Sequence, residues 1–121
     1  MTLILVVEDT ASERQLIASY LKEGGYEVEE AVNGAEAMTK IGTRKPDLII
    51  TDLVMPGMSG LELCRGVKKN PETQNIPIVA CTSKDKDLDK MWGMKQGIDL
   101  YLTKPFTKDE IVKAIRSLVN N

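Results

Sequence analysis

The residues able to do ion or phosphate chemistry fall at the ends of apolar runs. Asp52 follows Leu48-Ile49-Ile50-Thr51 and precedes Leu53-Val54-Met55-Pro56-Gly57. Glu8 and Asp9 follow Leu3-Ile4-Leu5-Val6-Val7. Thr82 and Ser83 follow Ile78-Val79-Ala80-Cys81, and Lys104 lies just beyond Leu100-Tyr101-Leu102. A carboxylate such as Asp52 can attack phosphorus and form an acyl phosphate. Carboxylates gathered at one place repel unless a cation lies between them, and hard oxygen ligands beside a phosphate favour Mg²⁺, with Mn²⁺ as a substitute. Lys104 offers a point positive charge to a phosphoryl oxygen, and Thr82 a hydroxyl donor to another. Each residue also has a plainer reading. Asp52 alone is a turn residue or cap, Glu8-Asp9 a helix cap, Lys104 a solvated lysine and Thr82 a strand-end hydroxyl. Their joint position at four strand ends carries the chemical reading.

Composition narrows the class. The chain has 121 residues, a formal charge of −2 and no histidine. That length predicts one domain with one core. The charge and the lack of a basic run give no general attraction to nucleic acid. No signal-peptide pattern precedes the first apolar run, and no apolar stretch nears the ~20 residues of a membrane span. A cytoplasmic protein without membrane insertion is expected. Cys64 and Cys81 have no metal-ligand spacing and read as reduced thiols. Without histidine, Ser-His and Cys-His catalysis are excluded.

The elements that must position these residues alternate regularly. Strands are predicted at 3–7, 26–31, 47–51, 76–81 and 99–102. Helices are predicted at 11–23, 35–41, 59–69, 85–96 and 107–119. Leu16, Ile17, Tyr20 and Leu21 form an apolar stripe on the first helix. Gly24-Gly25 stops that helix, Asn33-Gly34 makes a turn, and Thr107 with Glu110 forms a capping box on the last helix. Five β/α units imply a parallel sheet with helices on both faces. The runs at 3–7, 47–51 and 76–81 are apolar throughout, as central strands are. Glu27, Glu29 and Glu30 place 26–31 at an edge.

Taken together the motifs resemble CheY-like receiver domains of two-component response regulators over the full length. The carriers are Val6-Val7-Glu8-Asp9, the stretch from Pro46 through Asp52 to Gly57 with Gly60, Thr82-Ser83, and Tyr101-Leu102-Thr103-Lys104-Pro105-Phe106. Residues 82–87 and 92–97 are also similar to PilH-like regulators of type IV pilus motility and phototaxis. The resemblance implies a flavodoxin-like (βα)5 fold with strand order 2-1-3-4-5, an order consistent with the edge and central strands above.

It also implies roles. Asp52 is the phosphoacceptor, taking its phosphoryl group from a sensor histidine kinase, CheA-like in a motility system. Asp9, Asp52 and the Val54 carbonyl bind Mg²⁺ directly, and Glu8 acts through a water. Thr82, Lys104 and Tyr101 read the phosphate, with a cis Lys104–Pro105 bond aiming the lysine. Phosphorylation remodels a face made by helix 85–96, strand 99–102 and helix 107–119, where Trp92 is a candidate output residue. Leu88, Met91 and Trp92 share a helical stripe whose plainer reading is packing of the helix on the sheet. The chain departs from the pattern at Glu8, often aspartate in the family, and at Ile98, often alanine. Val54 and Lys84 flank the site at positions that tune acyl-phosphate lifetime. The chain is expected to catalyse only its own phosphorylation and dephosphorylation. With no output domain in view, it would signal through a downstream protein or buffer phosphate for a second regulator. Three alternatives stay open. A flavodoxin-like cofactor binder wants a phosphate-cradling loop where Glu8-Asp9 stand. A stand-alone phosphatase wants a second aspartate where Val54 stands. An unphosphorylated pseudo-receiver acting as a binding module is expected to lack an acidic-pocket residue or the lysine.

Overall fold

A computed structural model describes residues 1–53, 55, 57–82 and 97–119, with Thr82 described by its backbone alone. The predicted helix 85–96, with Trp92, and the positions Val54, Ser83 and Lys84 lie outside these residues.

The elements are β1 (Leu3–Val7), α1 (Ala11–Glu23), β2 (Glu27–Ala31), α2 (Gly34–Thr43), β3 (Leu48–Asp52), α3 (Gly60–Lys69), β4 (Ile78–Thr82), β5 (Leu100–Thr103) and α4 (Lys108–Val119). The five strands are parallel in the order β2-β1-β3-β4-β5. Glu-rich β2 is at an edge, where alternate side chains can reach water. Every residue of β1 is buried, because helices cover both faces of a parallel sheet.

Alternation along the strands divides the core in two. Leu5, Val7, Ile49, Ile78 and Ala80 point to the side where α2 and α3 supply Ala37, Ile41, Leu63, Cys64 and Val67. Ile4, Val6, Leu48, Ile50, Val79 and Cys81 point to the other side, against Ile17 and Leu21 of α1 and Ile111 and Ile115 of α4. Ile98 is 2% exposed within the first cluster, so the larger side chain at this position is absorbed by the core.

Several boundaries differ from the sequence reading, for local reasons. Asp47 and Asp99, expected as first strand residues, precede their strands. Their carboxylates accept from the Leu3 and Ile78 amides, each at 2.7 Å, and so cap neighbouring strands. β4 starts at Ile78 because Pro77 has no N–H to give and the Ile76 amide donates to the Thr73 carbonyl in a turn. Asn33 is the N-cap of α2 and accepts from the Glu36 amide at 2.8 Å. The capping box of α4 is present. Thr107 Oγ1 accepts from the Glu110 amide at 3.1 Å, and Glu110 Oε1 from the Thr107 amide at 3.0 Å. Leu16 departs from the predicted stripe. It is 51% exposed and lines a groove of about 140 Å³ with Tyr20 and Phe106. No helix among the described residues is long and apolar enough to cross a membrane.

Candidate functional site

Register brings the strand ends to one edge. Val7 pairs with Thr51, Asp52 with Cys81, and Thr82 with Thr103. Glu8 and Asp9 just past β1, Asp52 ending β3 and Lys104 just past β5 therefore share a small volume at the C-terminal edge. Ligands of open parallel sheets bind at this edge.

Glu8, Asp9 and Asp52 each offer a carboxylate oxygen, and the three oxygens lie within 4.8 Å of one another. The three differ in burial. Glu8 is 1% exposed, Asp52 is half-buried and Asp9 is exposed. Lys104 joins two of them. Its Nζ lies 2.8 Å from Glu8 Oε1 and 3.1 Å from Asp52 Oδ2. The second Glu8 oxygen, Oε2, accepts from the Thr10 amide at 3.2 Å. The Lys104–Pro105 peptide bond is cis.

The electrostatics follow from this crowding. Burial pushes the Glu8 carboxyl up to about 7, against the lowering pull of the Lys104 and Thr10 hydrogen bonds, and the Asp52 charge adds to the rise. Burial works against the Lys104 charge, but hydrogen bonds to Glu8, Glu13 and Asp52 outweigh it and hold its pKa above the ordinary lysine value. Cys81, beside Asp52 in the ladder, is pushed up to about 12 by burial. It stays a neutral thiol and does not compete as a nucleophile.

Two residues that hold the site escaped the sequence reading. Glu13 Oε1 lies 2.9 Å from Lys104 Nζ. Its only signal was its place in the first turn of α1, just after Glu8 and Asp9. Arg14, with a side chain 14% exposed, donates from Nη1 to the Glu8 carbonyl at 2.9 Å and from Nε to Glu30 Oε1 at 3.1 Å. It ties the Glu8 backbone to edge strand β2. Tyr101 is half-buried against the α2/α3 side of the core. Thr82 ends β4 at the same edge, with its side chain outside the described residues.

The turn after Asp52 is set by a close approach. A Cβ on Gly60 would stand 2.2 Å from the Asp52 carbonyl oxygen and 2.8 Å from Leu53 Cα. The Gly60 amide donates to the Leu53 carbonyl at 3.2 Å. Gly57 serves a different need. Its φ is +74° and nothing surrounds the place of a Cβ, so conformation, not space, calls for glycine there.

Comparison with known proteins agrees with this geometry. Residues 4–116 match the family model described as the response regulator receiver domain. The chain is 36% identical to Protein PilH of Pseudomonas aeruginosa, over 98% of each chain. It is 42% identical to the phosphate regulon transcriptional regulatory protein PhoB of the same organism, over 96% of this chain but only 51% of PhoB. Among solved structures, the chemotaxis protein CheY4 of Vibrio cholerae superposes with a TM-score of 0.93 at 33% identity, covering 98% of each chain. A matching family model over nearly the whole length, a strand order of 2-1-3-4-5 and an acid–lysine cluster at the sheet edge lead to one assignment: the chain belongs to the response regulator receiver domain family.

Proposed function

We propose that this chain is a phosphorylation-dependent switch that accepts a phosphoryl group on Asp52 from a histidine kinase. The observation that carries the reading is the convergence of Glu8, Asp9, Asp52 and Lys104 at one strand-end edge. An Asp52 carboxylate oxygen forms the new bond to phosphorus, and the donor's leaving group departs in line with the bonding pair. Lys104, already 3.1 Å from Asp52, is placed to follow the transferred group with its charge. Glu8 and Arg14 fix the floor of the pocket. Catalysis by these residues is positioning and charge neutralisation, and the chain acts only on itself.

The donor set suits Mg²⁺, because three carboxylates supply hard oxygens at one place. Asp9 and Asp52 are the direct ligands on this reading, with the Val54 carbonyl, which lies outside the described residues. Both Glu8 oxygens already accept hydrogen bonds, which favours a role through a water. Bound there, the ion would neutralise the acids and draw charge from the phosphoryl oxygens.

Output runs through Thr82 and Tyr101 to the face formed by segment 85–96, β5 and α4, where a downstream protein binds. Similarity to PilH and to the chemotaxis protein CheY4 supports a motility or chemotaxis-type role in the cytoplasm with a CheA-like kinase. The test is labelling with acetyl phosphate and magnesium, read by intact mass and peptide mapping. One phosphoryl group on the peptide carrying Asp52, absent in Asp52→Asn, is expected. Equal labelling of that peptide in Asp52→Asn would sink the assignment.

A further inference from the structure

The reading of Asp52 as phosphoacceptor leaves Lys104 with a partner that needs an explanation. Its Nζ lies 2.8 Å from Glu8, 2.9 Å from Glu13 and 3.1 Å from Asp52. An ammonium has three donors, so three carboxylates occupy all of them. The donor now facing Asp52 can pass to a phosphoryl group there, but Nζ must move to follow it, and one of the other two acids must then release its donor. Glu8 is poorly suited to release it. It is 1% exposed, so no water can take the place of a lost donor there. Glu13 stands at the rim in the first turn of α1 with its side chain 43% exposed, so water can take over from the lysine.

We propose that Glu13 is a positioning residue that holds Lys104 at the rim and, as a negative charge beside the entrance, opposes anionic phosphodonors. The inference rests on Asp52 being the acceptor. Acetyl phosphate is the probe. Asp52 Oδ bonds to phosphorus as the bond from phosphorus to the acetyl oxygen breaks. Acetate leaves with the electron pair, and no proton need move. Glu13→Gln removes the charge while keeping the shape. The donor concentration for half-maximal labelling rate should fall by about two- to fivefold, the range that a partly exposed ion pair supports, while the saturated rate holds. The gain should be smaller with phosphoramidate, a monoanion at neutral pH, than with the acetyl phosphate dianion. It should shrink in high salt. Glu23→Gln, at the far end of α1, is the control for net charge.

The outcomes separate cleanly. A wild-type protein that takes no phosphate on Asp52 overturns the acceptor reading and this proposal with it. A wild-type protein that is labelled, with Glu13→Gln equal or slower, overturns the proposal alone. So does an equal gain in Glu23→Gln, because net charge would then explain the effect. A gain in Glu13→Gln alone, larger for the dianion, supports it.

Discussion

At the scale of single residues, burial sets the chemistry of Glu8. Its carboxyl is raised from 4.5 to about 7 by burial. The folded state therefore holds this proton more tightly than the unfolded state. Its contribution to stability is full below pH 4.5 and is lost as pH rises through about 7. In chelator, the urea stability of the wild type should fall relative to Glu8→Gln between pH 5 and 8, by about 2 kcal/mol. Parallel pH curves for the two proteins would contradict a buried, proton-holding Glu8. Asp9 has a different cost, since it adds a like charge within 4.8 Å of the other two acids. Asp9→Ala should weaken magnesium binding beyond detection and raise metal-free stability by about 0.5–1 kcal/mol. Calorimetric titration checks the first claim and urea melts the second. An unchanged titration removes Asp9 from the ligand set. The sequence made these acids legible because each follows an apolar run. It hid Glu13 and Arg14, because an acid and a base in a first helical turn look like ordinary helix surface. Only the fold brings Glu13 to a lysine on β5's far end.

At the scale of elements, the site depends on how α3 meets β3. The sequence offered Gly57 in the turn after Asp52 and Gly60 at the start of the helix predicted at 59–69, and nothing in it distinguished their duties. Gly57 needs its positive φ, whereas Gly60 needs empty space against the Asp52 carbonyl. The two alanine variants should therefore differ in kind. Gly57→Ala should cost about 1–2 kcal/mol through backbone strain and leave labelling nearly intact. Gly60→Ala should cost about 1–3 kcal/mol through overpacking and, if Asp52 is the acceptor as proposed, also slow labelling, because the intruding methyl displaces the Asp52 peptide. The ratio of labelling rate to fraction folded separates the two effects. If Gly60→Ala is labelled at the wild-type rate per folded molecule, the close approach does not position Asp52. Other element features were readable in advance for a plain reason. The capping box of α4 is encoded within four consecutive residues. The Leu16 error has the opposite origin. Periodicity gave a stripe, but the groove beside Phe106 comes from α1 meeting the loop after β5, which no local pattern encodes.

At the scale of the molecule, the sheet links Asp52 to the far edge. The central and edge strands were legible because strands buried on both faces read as unbroken apolar runs while β2 carries Glu27, Glu29 and Glu30, and the full order came only with the resemblance to receiver domains. Lys104 and Glu8 are 96 positions apart, and their contact becomes visible only once β1 and β5 lie in one sheet. From Asp52 the ladder runs through Cys81 to Leu102, with Tyr101 paired to Ala80 on the same two strands. A phosphoryl group favours whichever arrangement of these strand ends contacts it better, and only that difference in contact can shift the population. Trp92 is the chain's single tryptophan and lies in sequence between Thr82 and Tyr101. Its emission can therefore report on the proposed output segment. Beryllofluoride with magnesium, which mimics an acyl phosphate, should change Trp92 emission, and magnesium alone should change it little. Tyr101→Ala should reduce the beryllofluoride response by about half or more without preventing its binding, because the aromatic carries coupling and not ligation. Tight beryllofluoride binding with an undiminished emission change in Tyr101→Ala would place the coupling elsewhere. A response of equal size from magnesium alone would mean that charge neutralisation at the acids, not the phosphoryl contact, moves the output segment.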